Sequence, residues 1–148
     1  MNVIRMLAAG SAVAVVSLCA TAVGQASVKM TIDAGASYEQ SLKCYEYYDI
    51  AQQVADARAG KAEAGSDVQK DLQSRSANDK FLKMSWNKHI EDTKGKKSNK
   101  LVDGDLAKAG APIIADANSG LGGDAGASAR YEAVQANCKT FEKVEKAS

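Results

Sequence analysis

Apolar side chains recur every three or four residues along most of the chain after residue 36, which predicts amphipathic helices. The first helix is predicted to begin after Ser37, because Gln40 follows at the spacing of a capping box, and to end at Gly60. Its predicted buried face carries Cys44, Tyr47, Tyr48, Ala51, Val54 and Ala55. This is the strongest amphipathic pattern in the sequence.

The second helical region is predicted to begin at Ser66 or Asp67 and to reach Ile90. Its apolar pattern is interrupted by the polar residues 75–80, which we expect to kink the helix or to divide it in two. Residues 93–100 contain no apolar side chain and are predicted to form a loop.

The third helical region is predicted to begin near Ser98 and to form two short helices about a hinge at residues 110–112, because Pro112 lacks the amide hydrogen that a helix interior uses. Residues 118–126 are rich in glycine and are predicted to be a flexible loop. The last helix is predicted to run from about residue 127 to residue 146.

These patterns predict an all-α fold, a small bundle of about four main helices with one of them interrupted or kinked at Pro112. Residues 37–148 are expected to form one domain, preceded by a short leader at residues 27–36. Within that leader, residues 27–32 are expected to form a strand or to remain irregular. No run of alternating β-branched residues follows residue 36.

Residues 1–26 have the pattern of a cleaved secretory signal peptide. They contain one basic residue, Arg5, and no acidic residue, followed by an apolar run and then by small residues. We expect cleavage after Ala26, with cleavage after Ala22 as the alternative. The sequence therefore predicts a periplasmic or secreted protein without a stable membrane span after cleavage.

Removal of that segment changes the charge and the cysteine count. The full chain has a formal net charge of +1, and loss of Arg5 brings it to zero, which argues against a nucleic-acid partner. Only Cys44 and Cys138 remain, and two cysteines in an exported chain most simply form one disulfide. Since both lie on apolar helix faces, we expect the disulfide to link the long N-terminal and C-terminal helices.

All five tyrosines fall in or near these two helices, and Tyr47, Tyr48 and Tyr131 are candidates for lining a ligand cleft. A tyrosine ring offers apolar area and its hydroxyl offers a hydrogen bond. The alternative is that these side chains only pack the helices together. Tyr45 is predicted to point away from Tyr47 and Tyr48.

The remaining candidate chemistry is sparse. His89, the only histidine, lies three residues after Trp86 and is expected on a half-buried helix face without a cofactor. The oxygen-bearing pairs Asp103/Asp105 and Asp116/Asn118 fail the spacing of a calcium loop, so we expect no metal site. Four lysines of residues 94–100 are expected to form a solvated loop, with an anionic envelope surface as the alternative contact: Lys94, Lys96, Lys97 and Lys100.

No motif for a nucleophile, a phosphate or a dinucleotide is present in the sequence. We therefore expect a non-enzymatic, exported binding or envelope-associated accessory protein whose partner is an unknown protein or envelope component. Two alternatives stay open, a periplasmic stress or holding chaperone and a carrier of a small ligand or cofactor. The sequence predicts neither a cofactor nor an oligomeric state.

Overall fold

The computed structural model describes residues 28–146, and most of these residues are helical. Four helices follow one another along the chain: α1 Tyr38–Ala59, α2 Asp67–Thr93, α3 Asn99–Leu121 and α4 Ala125–Lys139. Two short strands flank them, β1 Val28–Ile32 before α1 and β2 Glu142–Lys146 after α4. The predicted bundle of four helices is confirmed. The predicted signal peptide, residues 1–26, lies outside the described residues.

Side-chain caps explain where three of the helices begin. Ser37 Oγ accepts a hydrogen bond of 3.2 Å from the Gln40 amide, which confirms the predicted start of α1. Ser66 caps α2 in the same way. Asp124 caps α4 with a 3.0 Å bond from the Ala127 amide, so this helix begins earlier than the sequence pattern predicted and the preceding loop is shorter.

Helices α2 and α3 are each continuous, so neither is divided in two. Pro112 lies inside α3, so the prediction of two helices about a hinge is wrong. Proline has no amide hydrogen, so the hydrogen bond to the carbonyl four residues earlier, here that of Lys108, is missing. Both Pro112 and Lys108 are exposed, so water can reach this carbonyl. The buried side chains of Ile113 and Ala117 hold the helix in place beyond the proline.

The predicted last helix is also wrong in its second half. It ends at Lys139, and β2 pairs antiparallel with β1 so that Ile32 lies opposite Glu142. The Asp33 amide extends this ladder by donating a 2.8 Å bond to the Phe141 carbonyl. A strand is favoured here because β1 offers it hydrogen-bond partners, and a pattern read within one segment does not contain that information.

Helix α1 packs against each of the other three helices, and α3 also packs against α4. Helices α1 and α2 are antiparallel, as shown by Lys83 contacting Asp49 and by Ser76 contacting Asp56. The predicted disulfide between Cys44 and Cys138 is present, with its Cα atoms 5.6 Å apart. It links α1 to α4, and α4 is the shortest of the four helices, so the expectation of two long terminal helices is wrong.

The core consists of two groups of buried side chains. The larger group surrounds the disulfide and comprises Ala36, Cys44, Tyr47, Tyr48, Leu82, Trp86, Ile113 and Cys138. The smaller group lies between α1, α2 and α3 and comprises Leu42, Ile90 and Val102. Within residues 28–146, none of the helices combines the length and the apolar character needed to cross a bilayer.

Candidate binding cleft

Side chains from all four helices line an open cleft of about 880 Å³. Its floor is the face of α1 from Tyr47 to Arg58, while α2 and α4 form its walls and the last turns of α3 complete it. Small side chains such as Ala51 and Ala55 on α1 leave room for this space. Several charged and amide side chains lie around it, so the cleft is suited to a polar occupant.

Two of the three tyrosines predicted to line a cleft meet at one end of it. The rings of Tyr47 and Tyr131 are 4.7 Å apart between centroids and are inclined at 38°. Burial raises the pKa of the Tyr131 hydroxyl to about 12, and burial also raises the pKa of Tyr47 well above its ordinary value. Both hydroxyls are therefore protonated and neutral in any physiological medium.

The third candidate, Tyr48, is fully buried and does not line the cleft. Its hydroxyl donates a 2.7 Å hydrogen bond to Glu142 Oε1, and Trp86 Nε1 donates to the same oxygen over 3.2 Å. Its ring packs edge-on against Tyr47, with centroids 5.1 Å apart. Tyr48 therefore supports the tyrosine end of the cleft from behind.

The remaining tyrosines lie elsewhere. Tyr38 donates a hydrogen bond to Asp105 and carries Lys97 over its ring, at 5.1 Å from the centroid. Tyr45 packs against both groups of core side chains and is absent from the cleft lining.

Asp79 on α2 supplies a carboxylate to the cleft. Within residues 28–146 its side chain makes no hydrogen bond and no ion pair. Burial raises the pKa of this carboxyl above its ordinary value, which Arg75 and Lys139 partly oppose. Its charge also contributes to the raised pKa values of Tyr47 and Tyr131, which line the same cleft.

Basic side chains also line the cleft. Arg58 lies in the last turn of α1. Arg75 of α2 also lines the cleft, is bound to Asp71 at 2.8 Å and lies one helical turn before Asp79. On the α3 side, Asp116 lines the cleft but is neutralised by Arg130, whose Nη2 lies 2.6 Å from Asp116 Oδ1. The cleft thus carries charged side chains of both signs.

Ser41 and His89 form a second polar pair, at the far end of α1 from Arg58. Ser41 Oγ lies 2.8 Å from His89 Nδ1 and donates its only proton to the Ser37 carbonyl over 2.9 Å. Neither side chain lines the cleft, so this pair is not available to a molecule bound there. Ser41 is fully buried, so this pair ties the start of α1 to α2.

His89 is buried rather than half-buried, with its ring 6.1 Å from that of Trp86. Met84, which shares α2 with it, is exposed. The acidic residues considered for calcium all lie in α3 rather than in loops. No group of three or more potential metal ligands occurs among the described residues.

The basic loop is partly neutralised by its neighbours. Lys94 contacts Glu91, and Lys97 contacts Asp105 at 2.9 Å. Lys96 and Lys100 remain exposed on the surface. Two of the four lysines are thus engaged within the domain.

Sequence reasoning missed Asp79 and Arg58. A signal for Asp79 exists, because it lies three residues before Leu82 and seven before Trp86, on the stripe of α2 that is buried. An acidic residue on such a stripe is unusual enough to be a candidate site. Arg58 carries no comparable signal, since it becomes part of the cleft only through the placement of α2 and α4.

Comparisons of this chain with protein-family models, with curated proteins and with solved structures gave no match. Since no relative suggests a function, we infer one from the cleft.

Proposed function

We propose that this protein is an exported, non-enzymatic binding protein that holds its partner in the cleft between α2 and α4. The observation that carries the proposal is the Asp79 carboxylate, which is partly withdrawn from water in the cleft and has no hydrogen-bond or ion-pair partner within residues 28–146. Desolvating a carboxylate without pairing it costs stability. A binding role accounts for that cost, because a ligand supplies the missing partner.

The surroundings of the site support binding rather than catalysis. The tyrosine hydroxyls have raised pKa values and are poor bases and poor nucleophiles at neutral pH. The most reactive pairing of side chains, Ser41 with His89, is buried and lies outside the cleft. Export to the periplasm or beyond rests on residues 1–26 and on the disulfide, which is typical of oxidising compartments.

A photoreactive amino acid placed in the cleft tests this function in the native envelope. Ser74 lines the cleft and is exposed, whereas Asn87 is exposed on the same helix and does not line it. The full chain carrying the probe at residue 74 should give a discrete cross-linked adduct that the chain carrying it at residue 87 lacks. A second variant, Ala51→Trp, fills the cleft floor and should abolish that adduct while the helical circular dichroism is unchanged.

Equal adducts from both positions, or none from residue 74, would contradict the proposal. An adduct that survives Ala51→Trp would also contradict it, because the partner would then lie outside the cleft.

A further inference from the structure

We propose that a groove between α1 and α3, lined by Glu46, Ile114 and Leu121, binds an amphipathic helix of a partner protein. That helix carries apolar side chains two turns apart and a basic side chain one turn beyond them. The groove lies on the face of α1 next to the cleft, so the inference goes beyond the proposed function. It rests on the exposed apolar side chains of α3 and on the unpaired carboxylate of Glu46.

The groove is a space of about 280 Å³ beside the cleft. Helices α1 and α3 run parallel here, as shown by the hydrogen bond from Tyr38 to Asp105 and by the contact of Glu46 with Gly110. Ile114 lines the groove and does not line the cleft. The apolar part of the lining comprises Ile50, Val54, Ala57, Ile114, Ala117 and Leu121.

Two large apolar side chains of the groove are exposed to solvent, Ile114 by 46% and Leu121 by 55%. Seven positions of α3 separate them, so they share one helix face about 10.5 Å apart along the axis. Residues i and i+7 of a second helix have the same spacing. In an extended strand this distance corresponds to about three residues, whose side chains point to opposite faces. The spacing therefore fits a helix lying along α3.

Glu46 provides a charge at one end of this apolar surface. Its carboxylate lies directly against α3, because a Cβ atom at residue 110 would collide with it, and Gly110 is one turn before Ile114. The side chain is half-buried and makes no hydrogen bond and no ion pair within residues 28–146. Burial raises the pKa of this carboxyl. A basic side chain of a bound partner would offset the cost of its desolvation.

The charge of the groove also favours a basic helix over a lipid surface. Asp49 is the second carboxylate of the lining and is bound to Lys83 at 2.9 Å. Of the residues that the structure describes, no lysine, arginine or histidine lines the groove. Its acidic side chains attract a basic helix and repel anionic lipid headgroups. The fitting helix has its basic residue level with Gly110 and its apolar residues level with Ile114 and Leu121.

Synthetic helices test these features. The probes are two blocked, alanine-rich peptides with leucine at positions i, i+3 and i+7, one with lysine a turn before the leucines and one with lysine a turn after them. In the matched control of each, glutamine replaces the lysine. Binding to the full exported chain is followed by nuclear magnetic resonance chemical-shift titration. We expect at least one lysine peptide to shift the resonances of Glu46, Ile114 and Leu121 and to bind about fivefold more tightly than its control.

Substitutions then assign the contacts. Ile114→Asn should weaken binding about tenfold or more, whereas Leu101→Asn, at an exposed leucine of the same helix that does not line the groove, should leave it unchanged. Glu46→Gln should lower the affinity for the lysine peptide to that of the glutamine control. Glu39→Gln, at an exposed carboxylate of α1 outside the groove, should have no effect.

Full-strength binding to the Ile114→Asn protein would overturn the assignment of the groove. Equal affinities for the lysine and glutamine peptides would overturn the basic partner. A dimer of the exported chain that Ile114→Asn dissociates in light scattering would show that a second copy occupies the groove, which would also overturn the proposal. The photoreactive residue at position 74 reports on the cleft alone, so its result is independent of these outcomes.

Discussion

The hydroxyl of Tyr48 donates a 2.7 Å hydrogen bond to the carboxylate of Glu142, although 94 residues separate the two in the chain. Trp86 donates to the same carboxylate oxygen. One side chain at the start of β2 therefore satisfies two fully buried donors, one on α1 and one on α2. Strand β2 therefore helps to fix Tyr48, which packs behind the cleft residue Tyr47.

Glu142→Ala is expected to lower the free energy of unfolding by about 2–4 kcal/mol, because an unpaired buried donor costs about 1–3 kcal/mol. Glu142→Gln keeps an acceptor oxygen and should cost less. Denaturant titration followed by the fluorescence of Trp86, the only tryptophan of the chain, measures both effects. Glu63→Ala, at an exposed carboxylate before α2, is the control, and a loss no larger than the control's would refute the network.

The disulfide between Cys44 and Cys138 should contribute about 4–5 kcal/mol to stability, because it closes a loop of 94 residues in the unfolded chain. The double substitution Cys44→Ala and Cys138→Ala removes it without adding polar groups to the core. Equilibrium unfolding in guanidinium chloride gives the loss of stability. A difference below about 1 kcal/mol would show that the loop is already constrained in the unfolded state.

Gly110 is needed for the close approach of α3 to Glu46. A Cβ atom at residue 110 would collide with the Glu46 carboxylate, whereas one at Gly104 of the same helix would meet open space. Replacing a glycine inside a helix with alanine stabilises by about 0.5–1 kcal/mol, so Gly104→Ala should show this gain. Gly110→Ala should show less gain or a loss in thermal unfolding.

Truncating the neighbouring side chain supplies the control for this effect. In a protein carrying Glu46→Ala, the collision is removed and Gly110→Ala should regain the stabilisation seen at Gly104. An unchanged effect of Gly110→Ala in that background would argue against the contact with Glu46.

Asp79→Asn is expected to raise the free energy of unfolding at pH 7. Burial raises the pKa of Asp79 in the folded state, so the folded protein holds this proton more tightly than the unfolded chain. Stability from this group is therefore present below its ordinary pKa of 3.8 and is lost as the pH rises through the folded value. Urea titrations at a series of pH values should show that the variant lacks this decline, and Asp92→Asn should retain it.

The buried tyrosines should lower the stability of the protein at alkaline pH. Burial raises the pKa of Tyr131 to about 12, and it raises those of Tyr47 and Tyr48 as well, so the folded state retains protons that the unfolded chain releases near pH 10. Stability should therefore fall as the pH rises above about 10. Ultraviolet absorbance should show tyrosinate forming at higher pH in the folded protein than in the denatured one. Coincident titration curves would contradict this result.

The parts of the fold that depend on local pattern were predictable from the sequence. The start of α1 at Ser37 follows from a cap within four residues, and the pairing of Cys44 with Cys138 follows from having two cysteines on apolar faces. The strand at Glu142–Lys146 was not predictable, because its stability comes from β1 at the other end of the chain. Pro112 misled the prediction because its exposure, which makes it tolerable, is set by tertiary packing.

The candidate site likewise contains some residues that the sequence predicted and others that it could not predict. Tyr47 and Tyr131 were predicted as candidates for lining a cleft, and their rings meet where the disulfide joins α1 to α4. Tyr48 shares the buried face of α1 but faces Trp86 and Glu142, a difference that the helical pattern does not resolve. Asp79 enters the cleft only because α2 runs antiparallel to α1 at this register.

The antiparallel ladder of β1 and β2 sets Val28 beside Lys146. Neighbouring strands place such partners about 5 Å apart, so the chain enters and leaves this domain through a single point on its surface. A protein fused before residue 28 and one fused after residue 146 would therefore emerge side by side. A tether attached at either end would therefore hold the bundle from the same side.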